Sequence, residues 1–189
     1  MAFNAYLLFK TAGEPKIVGE STSIPEPAAE KAGAIEISEY GFGATMPVTA
    51  SRSDGGGATV GRANFDVFTC SKSIDTSTTR LFQYCCLGTA IPKIVLHLYR
   101  QGNMSDTGVV KYAMVVFNHC VITKVAISGS GEELPKEQLE FNYGNCEYWY
   151  QKTKHDSGEA DGNADHYGWS TITNKVADSG QPWGAFLPT

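Results

Sequence analysis

The chain has 189 residues, of which 42% are hydrophobic and 11% aromatic, with 20 glycines and 8 prolines, so it holds the apolar material for one core and turns often. Its formal net charge of −5, without any cluster of Lys or Arg, excludes the basic stripe on which nucleic-acid binding depends. The apolar start Met1–Phe9 is too short to span a bilayer and no positive segment precedes it, so it is expected to be a first strand rather than a signal peptide or membrane anchor.

Taken in chain order, the alternating segments predict strands over Ala5–Lys10 and Ala34–Ser38, with the proline-bearing stretch Ile24–Lys31 between them as a surface loop. A long glycine-rich loop, Gly55–Gly61, then runs into a strand over Asn64–Lys72. Ser77–Leu87 follows as the one helix, with Thr76 or Asp75 to cap its first N–H groups and Gly88 to close it in the left-handed conformation. Leu81, Phe82, Cys85 and Cys86 are expected to share its apolar face.

Lys93–Gln101 is the clearest strand. Ile94, Leu96 and Leu98 alternate with Val95, His97 and Tyr99, so both faces read as covered. Val109–Phe117, Cys120–Ser128, Gln138–Tyr143 and Cys146–Gln151 complete the strands. Ser128-Gly-Ser-Gly131 separates two of them cleanly, whereas Gly144-Asn145 reads as a bulge or bend inside one long strand. Lys154–Asp165 is an acidic, glycine-bearing surface loop. The expectation is a mainly β chain with one helix and no domain boundary.

Motifs for chemistry were weighed against their spacing. Gly56 and Gly61 are spaced like a phosphate loop, but Arg62-Ala63 stand where Lys and Ser/Thr are needed and a strand follows instead of a helix. Asp161, Asn163 and Asp165 open like a calcium loop, yet His166 replaces the glycine and Ile172 the bidentate glutamate. The five cysteines, at 70, 85, 86, 120 and 146, form no CxxC pair and read as reduced thiols of a cytoplasmic chain. Cys85 and Cys86 are expected to pack in the core. His97, His119, His155 and His166 lack metal-ligand spacing, and Ser128-Gly-Ser130-Gly131 is not a serine elbow. Trp149, Tyr148, Tyr150, Trp169 and Trp183 could form an aromatic surface, although strand aromatics more often pack cores. No catalytic residue, cofactor or metal is expected.

An ordered set of short pieces carries more. Gly19-Glu20-Ser21 is followed by Gly33-Ala34-Ile35-Glu36-Ile37, then by the loop Gly55–Gly61 with Phe65, Phe68, Thr69, Lys72, Ile74 and Asp75. Leu81, Cys86 and Gly88 come next, then Leu96, Leu98, Arg100 and Tyr112. Val121, Val125, Ser128-Gly-Ser-Gly131, Pro135, Phe141-Asn142-Tyr143, Tyr150 and Gly168-Trp169 close the series. In this order and spacing the chain resembles the Hcp family, the tube-forming proteins of bacterial type VI secretion.

The resemblance implies a small β-barrel of two sheets with one flanking helix at about residues 77–87, in a single domain over 1–189 with a short C-terminal arm from about 170. It implies a structural protein, not an enzyme, that closes head-to-tail into homohexameric rings stacked as a hollow tube. Its partners would be further copies of itself, the spike, sheath and baseplate proteins of the machine, and effector proteins carried in the lumen. Neither nucleic acid nor membrane insertion enters, and the protein would be made in the cytoplasm and exported through the machine. The loop over Thr45–Val60 would be the element that meets neighbouring subunits, with Thr49, Ser51, Arg52, Asp54, Gly55, Gly56 and Gly57 as candidate contact residues. The glycines there let backbone settle against a neighbour without side-chain clash. A polar strand face such as Gln138, Glu140 and Asn142 would suit a wet lumen. The segment Ile24–Lys31 and the tail Ser170–Thr189 depart from the family pattern. A phage-like tail tube is the alternative, and a stand-alone effector or enzyme, motivated by the four histidines, the five cysteines and the acidic loop near Asp161 and tested by changing His97 or His119, is a third reading.

Overall fold

The computed structural model describes residues 3–23, 33–48, 61–101, 109–131, 133–154 and 160–178. Twelve strands and one helix lie among them. They are β1 (Phe3–Lys10), β2 (Ile35–Ile37), β3 (Glu39–Gly41), β4 (Ala44–Thr45), β5 (Asn64–Phe65) and β6 (Phe68–Ser73), then α1 (Thr78–Leu87) and β7 (Ile91–Gln101). The series ends with β8 (Val109–Ser130), β9 (Glu133–Asn142), β10 (Asn145–Tyr150), β11 (Asp165–Ser170) and β12 (Lys175–Val176).

Antiparallel ladders join these strands into a closed circuit. β1 pairs with β2 on one side and β7 on the other, and β7 pairs with β8. β8 pairs with β9, β9 with β6, and β6 with β3. The chain passes from β2 straight into β3 at Ser38, whose N–H donates to the Ser71 carbonyl at 2.9 Å, so the circuit returns to its start. The result is a barrel of two sheets, which removes most of the exposed strand edges an open sheet would carry.

β8 is the second corner. At 22 residues it spans both sheets, pairing with β7 and β10 along its first half and with β9 along its second. Val109–Phe117 and Cys120–Ser128 are therefore one strand, not two. The bend falls at His119, which takes φ of 56°, and a left-handed residue turns a strand without ending its ladder. On the partner ribbon, Asn142 faces Val121 and Asn145 faces Asn118, so β9 and β10 keep one register through Tyr143-Gly144. The bend expected at Gly144-Asn145 is there, with the Gly144 N–H donating to the Asn118 carbonyl at 2.9 Å.

Past β8, the first sheet continues as β10, β11 and β12 and forms a flange beyond the barrel. The sequence reading did not contain β11 or β12. Residues 170–178 complete β11, turn, and lay β12 along it, with Ala177 N–H donating to the Gly168 carbonyl at 3.0 Å. Trp183 lies outside the described residues, as does Ile24–Lys31 apart from its flanks.

The barrel interior is packed with Leu7, Ile35, Leu96, Val115 and Leu139 and with a run of aromatic rings. Phe68 stacks on Phe141 at 4.5 Å, and Phe117 meets both rings edge-on. Alternation along β6 and β9 puts these rings inward and Thr69, Ser71, Gln138 and Asn142 outward.

Helix α1 ends at Gly88 as its sequence predicts, with φ of 61°. At the start, Asp75 accepts from the N–H of Ser77 at 2.9 Å, while the Thr76 hydroxyl instead donates to the Val18 carbonyl at 3.2 Å. The buried face differs from the expected one. Leu81 and Tyr84 enter the core, whereas Phe82 and Cys86 face solvent and Cys85 is half-buried. Tyr84 has a reason to point inward, since its hydroxyl donates to the Pro15 carbonyl at 3.0 Å and so satisfies its polar end.

Beneath the helix start lies a buried ionic cluster. Lys72 and Glu137 are direct cross-strand partners on β6 and β9, and both are fully buried. The Lys72 ammonium donates to Glu137 at 3.0 Å and to Asp75 at 2.8 Å, and the Thr78 hydroxyl donates to the same Glu137 oxygen at 2.6 Å. The cluster ties α1 to the second sheet.

Candidate assembly surface

Thr49, Ser51, Arg52, Asp54, Gly55, Gly56 and Gly57 lie outside the described residues. The stem of their loop is described. β4 and β5 pair antiparallel, Ala44 with Phe65 and Thr45 with Asn64, apart from the barrel sheets. Gly61 N–H donates to the Pro47 carbonyl and Asp66 N–H to the Gly43 carbonyl, each at 3.0 Å. Phe65 roots this stem by packing edge-on against Tyr143 at 6.3 Å. Met46 and Val48 stay exposed on the stem. A ladder of two residue pairs is not stable alone, so this stem depends on its packing at Phe65 to stay on the barrel.

The outward faces of the two sheets differ in chemistry. On the second sheet, Glu39, Thr69, Gln138 and Glu140 line a shallow polar cleft of about 280 Å³. Lys124 pairs with Glu140 at 2.7 Å on the same face. Gln138, Glu140 and Asn142 thus stand together as their alternation predicts.

On the first sheet the outward face is buried. Tyr6, Leu8 and Tyr99 form one apolar cluster there, and Val95, Met114 and Val116 with Trp149 form another. His97, between them, is 1% exposed. Burial, with Lys111 acting the same way, pushes its pKa down to about 3, so it stays neutral at ordinary pH.

The flange shows a third surface. Tyr148, Tyr150 and Tyr167 are 40%, 44% and 60% exposed, and Tyr148 is the cross-strand partner of Tyr167. They project on the side that faces the core within the barrel, where the sheet has run past β8 and their rings stay partly exposed. The sequence showed the aromatics but not this grouping, because it depends on a β10–β11 pairing that no local pattern announces. Trp149, one position out of phase, turns to the buried face instead and stacks on His166 at 3.7 Å.

The remaining sequence candidates separate. Asp161 pairs with exposed Lys152 at 2.7 Å, and that hydrogen bond and charge lower its pKa. Asp165 lies in β11. All five cysteines are free; burial pushes Cys70 and Cys146 up to about 12 and Cys120 higher still, so these three are poor nucleophiles. His119 is exposed at the β8 bend, remote in register from His97. His155 lies outside the described residues. His166 approaches the carboxylates of Glu147 and Asp178. Among the described residues no helix is long and apolar enough to cross a membrane.

Comparison with known proteins agrees with this architecture. The family model described as type VI secretion system effector, Hcp, matches residues 6–150. Protein hcp1 of Pseudomonas aeruginosa is 29% identical over 117 residues, which cover 61% of this chain and 70% of that protein. A solved structure described as a type six secretion system protein superposes with a TM-score of 0.78 at 26% identity, covering 93% of this chain and all of the other. Hcp1 from Salmonella typhimurium shares the fold with a TM-score of 0.66 at 18% identity, covering 94% of this chain and all of the other. The chain belongs to the Hcp family and is a tube component of type VI secretion.

Proposed function

We propose that this protein is a ring-forming subunit, six copies closing head-to-tail and the rings stacking into a hollow tube. The observation that carries the reading is the flange, a three-strand extension whose tyrosine face stays partly exposed although the same side of the sheet is core within the barrel. An apolar sheet face of this kind marks an interaction surface, and a heterologous contact between unlike surfaces is the geometry that closes a ring. The β4–β5 stem, with Met46 and Val48 exposed beside it, supplies a second contact for the neighbour in the ring or the next ring. The polar outward face of the second sheet suits the wall of a wet lumen, and small effector proteins are its cargo.

Hcp proteins are secreted by type VI systems. On our reading this chain is made in the cytoplasm, assembles against spike, sheath and baseplate proteins, and leaves through the machine. Native mass spectrometry and negative-stain microscopy test the ring directly. A mass of six chains with ring-shaped particles is expected, and a strictly monomeric protein at high concentration overturns the reading.

A further inference from the structure

Outside the surfaces described above, three metal-ligating side chains converge on the outward side of the flange. Glu147 on β10, His166 on β11 and Asp178 just after β12 bring one donor atom each within 4.8 Å of one another. Glu147 is fully buried, and the Asn118 amide donates to its Oε1 at 3.3 Å. Its Oε2 lies 3.6 Å from His166 Nε2, too far for a hydrogen bond between the two. The His166 ring is held in place by its stack on Trp149.

Two buried polar atoms here lack a hydrogen-bond partner among the described residues, His166 Nε2 and Asn145 Oδ1. Asn145, Glu147 and Asp178 line one cleft of about 750 Å³, which leaves room for water as a further ligand. An orphaned buried imidazole nitrogen beside a carboxylate oxygen calls for a proton or a cation between them.

We propose that Glu147, His166 and Asp178 form a binding site for one divalent transition-metal ion of the zinc type, clipping β10, β11 and the end of β12 together. Zinc bonds of ~2.0–2.1 Å in a tetrahedron place neighbouring donors about 3.3 Å apart. Glu147 and His166 are near that spacing, and the Asp178 donor lies within 4.8 Å of both. Asn118 acts as the outer partner that orients the glutamate, a role metal sites commonly include. An imidazole in the donor set selects zinc or cobalt over magnesium and calcium. The competitor for Glu147 is Lys93. Burial lowers the pKa of that ammonium, Glu147 opposes the shift, and Lys10 adds to it.

The test is calorimetric titration of the chelator-stripped full chain with zinc and with magnesium, together with the absorption spectrum of the cobalt form. One zinc per chain, no saturable magnesium binding, and a cobalt spectrum free of thiolate charge transfer are expected. Asp178→Asn and His166→Gln should each weaken zinc at least about tenfold. Asp178 is exposed, so its variant keeps the fold and reads the site alone. Absence of saturable zinc binding overturns the proposal and leaves Lys93 as the partner of Glu147. Binding unchanged in both variants, or a thiolate band, overturns it in favour of the cysteines. Neither outcome depends on whether rings form.

Discussion

Single residues show how far sequence alone reaches. Lys72 and Asp75 stand close together in the chain and Glu137 lies 65 residues from Lys72, so only the β6–β9 register reveals the pair. Breaking a buried ion pair from one side leaves an uncompensated charge, so Lys72→Met should destabilise by about 3–5 kcal/mol. Replacing both Lys72 and Glu137 by apolar residues should cost clearly less, which urea unfolding of the two variants measures. His97 makes a second case. Its pKa is about 3 in the fold and ~6.5 when unfolded, so the unfolded chain binds a proton the native one refuses. The stability this neutral histidine contributes is complete above pH ~6.5 and is lost as pH falls from there toward 3, at up to ~1.4 kcal/mol per pH unit. His97→Leu should flatten that acid limb, seen as a smaller shift of the urea midpoint between pH 7 and pH 4.5. The double-sided alternation of Lys93–Gln101 already announced that this histidine is inside; its place between two apolar clusters did not show.

At the scale of elements, the readable parts were those with local causes. The end of α1 at Gly88 follows from one glycine, and the bend at Gly144-Asn145 from another. The inward face of α1 was misread because Leu81, Phe82, Cys85 and Cys86 are apolar by type, while Tyr84 is selected by a carbonyl at Pro15 far along the chain. Likewise Asn118-His119 looks like a turn, and only the left-handed φ of His119 makes it a bend in an unbroken ladder. β12 depends on close approach to β11. A methyl group at Gly168 would meet the Ala177 carbonyl, and Glu147 Cγ at 2.6 Å. Backbone cannot yield there cheaply, so Gly168→Ala should cost roughly 1–3 kcal/mol. The loss should concentrate in β12, with faster hydrogen exchange at the Ala177 amide and little change in β1 or β7. Uniform acceleration across the barrel would show that β12 is part of the global folding unit instead.

For the whole molecule, the proposed ring has barrel and assembly drawing on different residues, and that separation can be measured. Core rings such as Phe68 and Phe141 and the circuit of ladders hold the subunit, while Tyr148, Tyr150 and above all Tyr167 stand outside the core clusters and reach solvent. This is why the fold class was legible and the proposed contact surface was not. Periodicity reports what a chain buries within itself, whereas a surface awaiting a neighbour has the same composition as a core strand and no periodic signature of its own. Tyr167→Asp is the discriminating substitution. At an exposed strand position it should change monomer stability by no more than about 0.5 kcal/mol. A charge placed in the middle of an apolar contact is costly to desolvate, so the same variant should shift native mass spectra from rings to single chains. Rings that persist in Tyr167→Asp, with thermal stability unchanged, would place the subunit contact elsewhere, and the exposed stem at Met46 and Val48 would then be the surface to change.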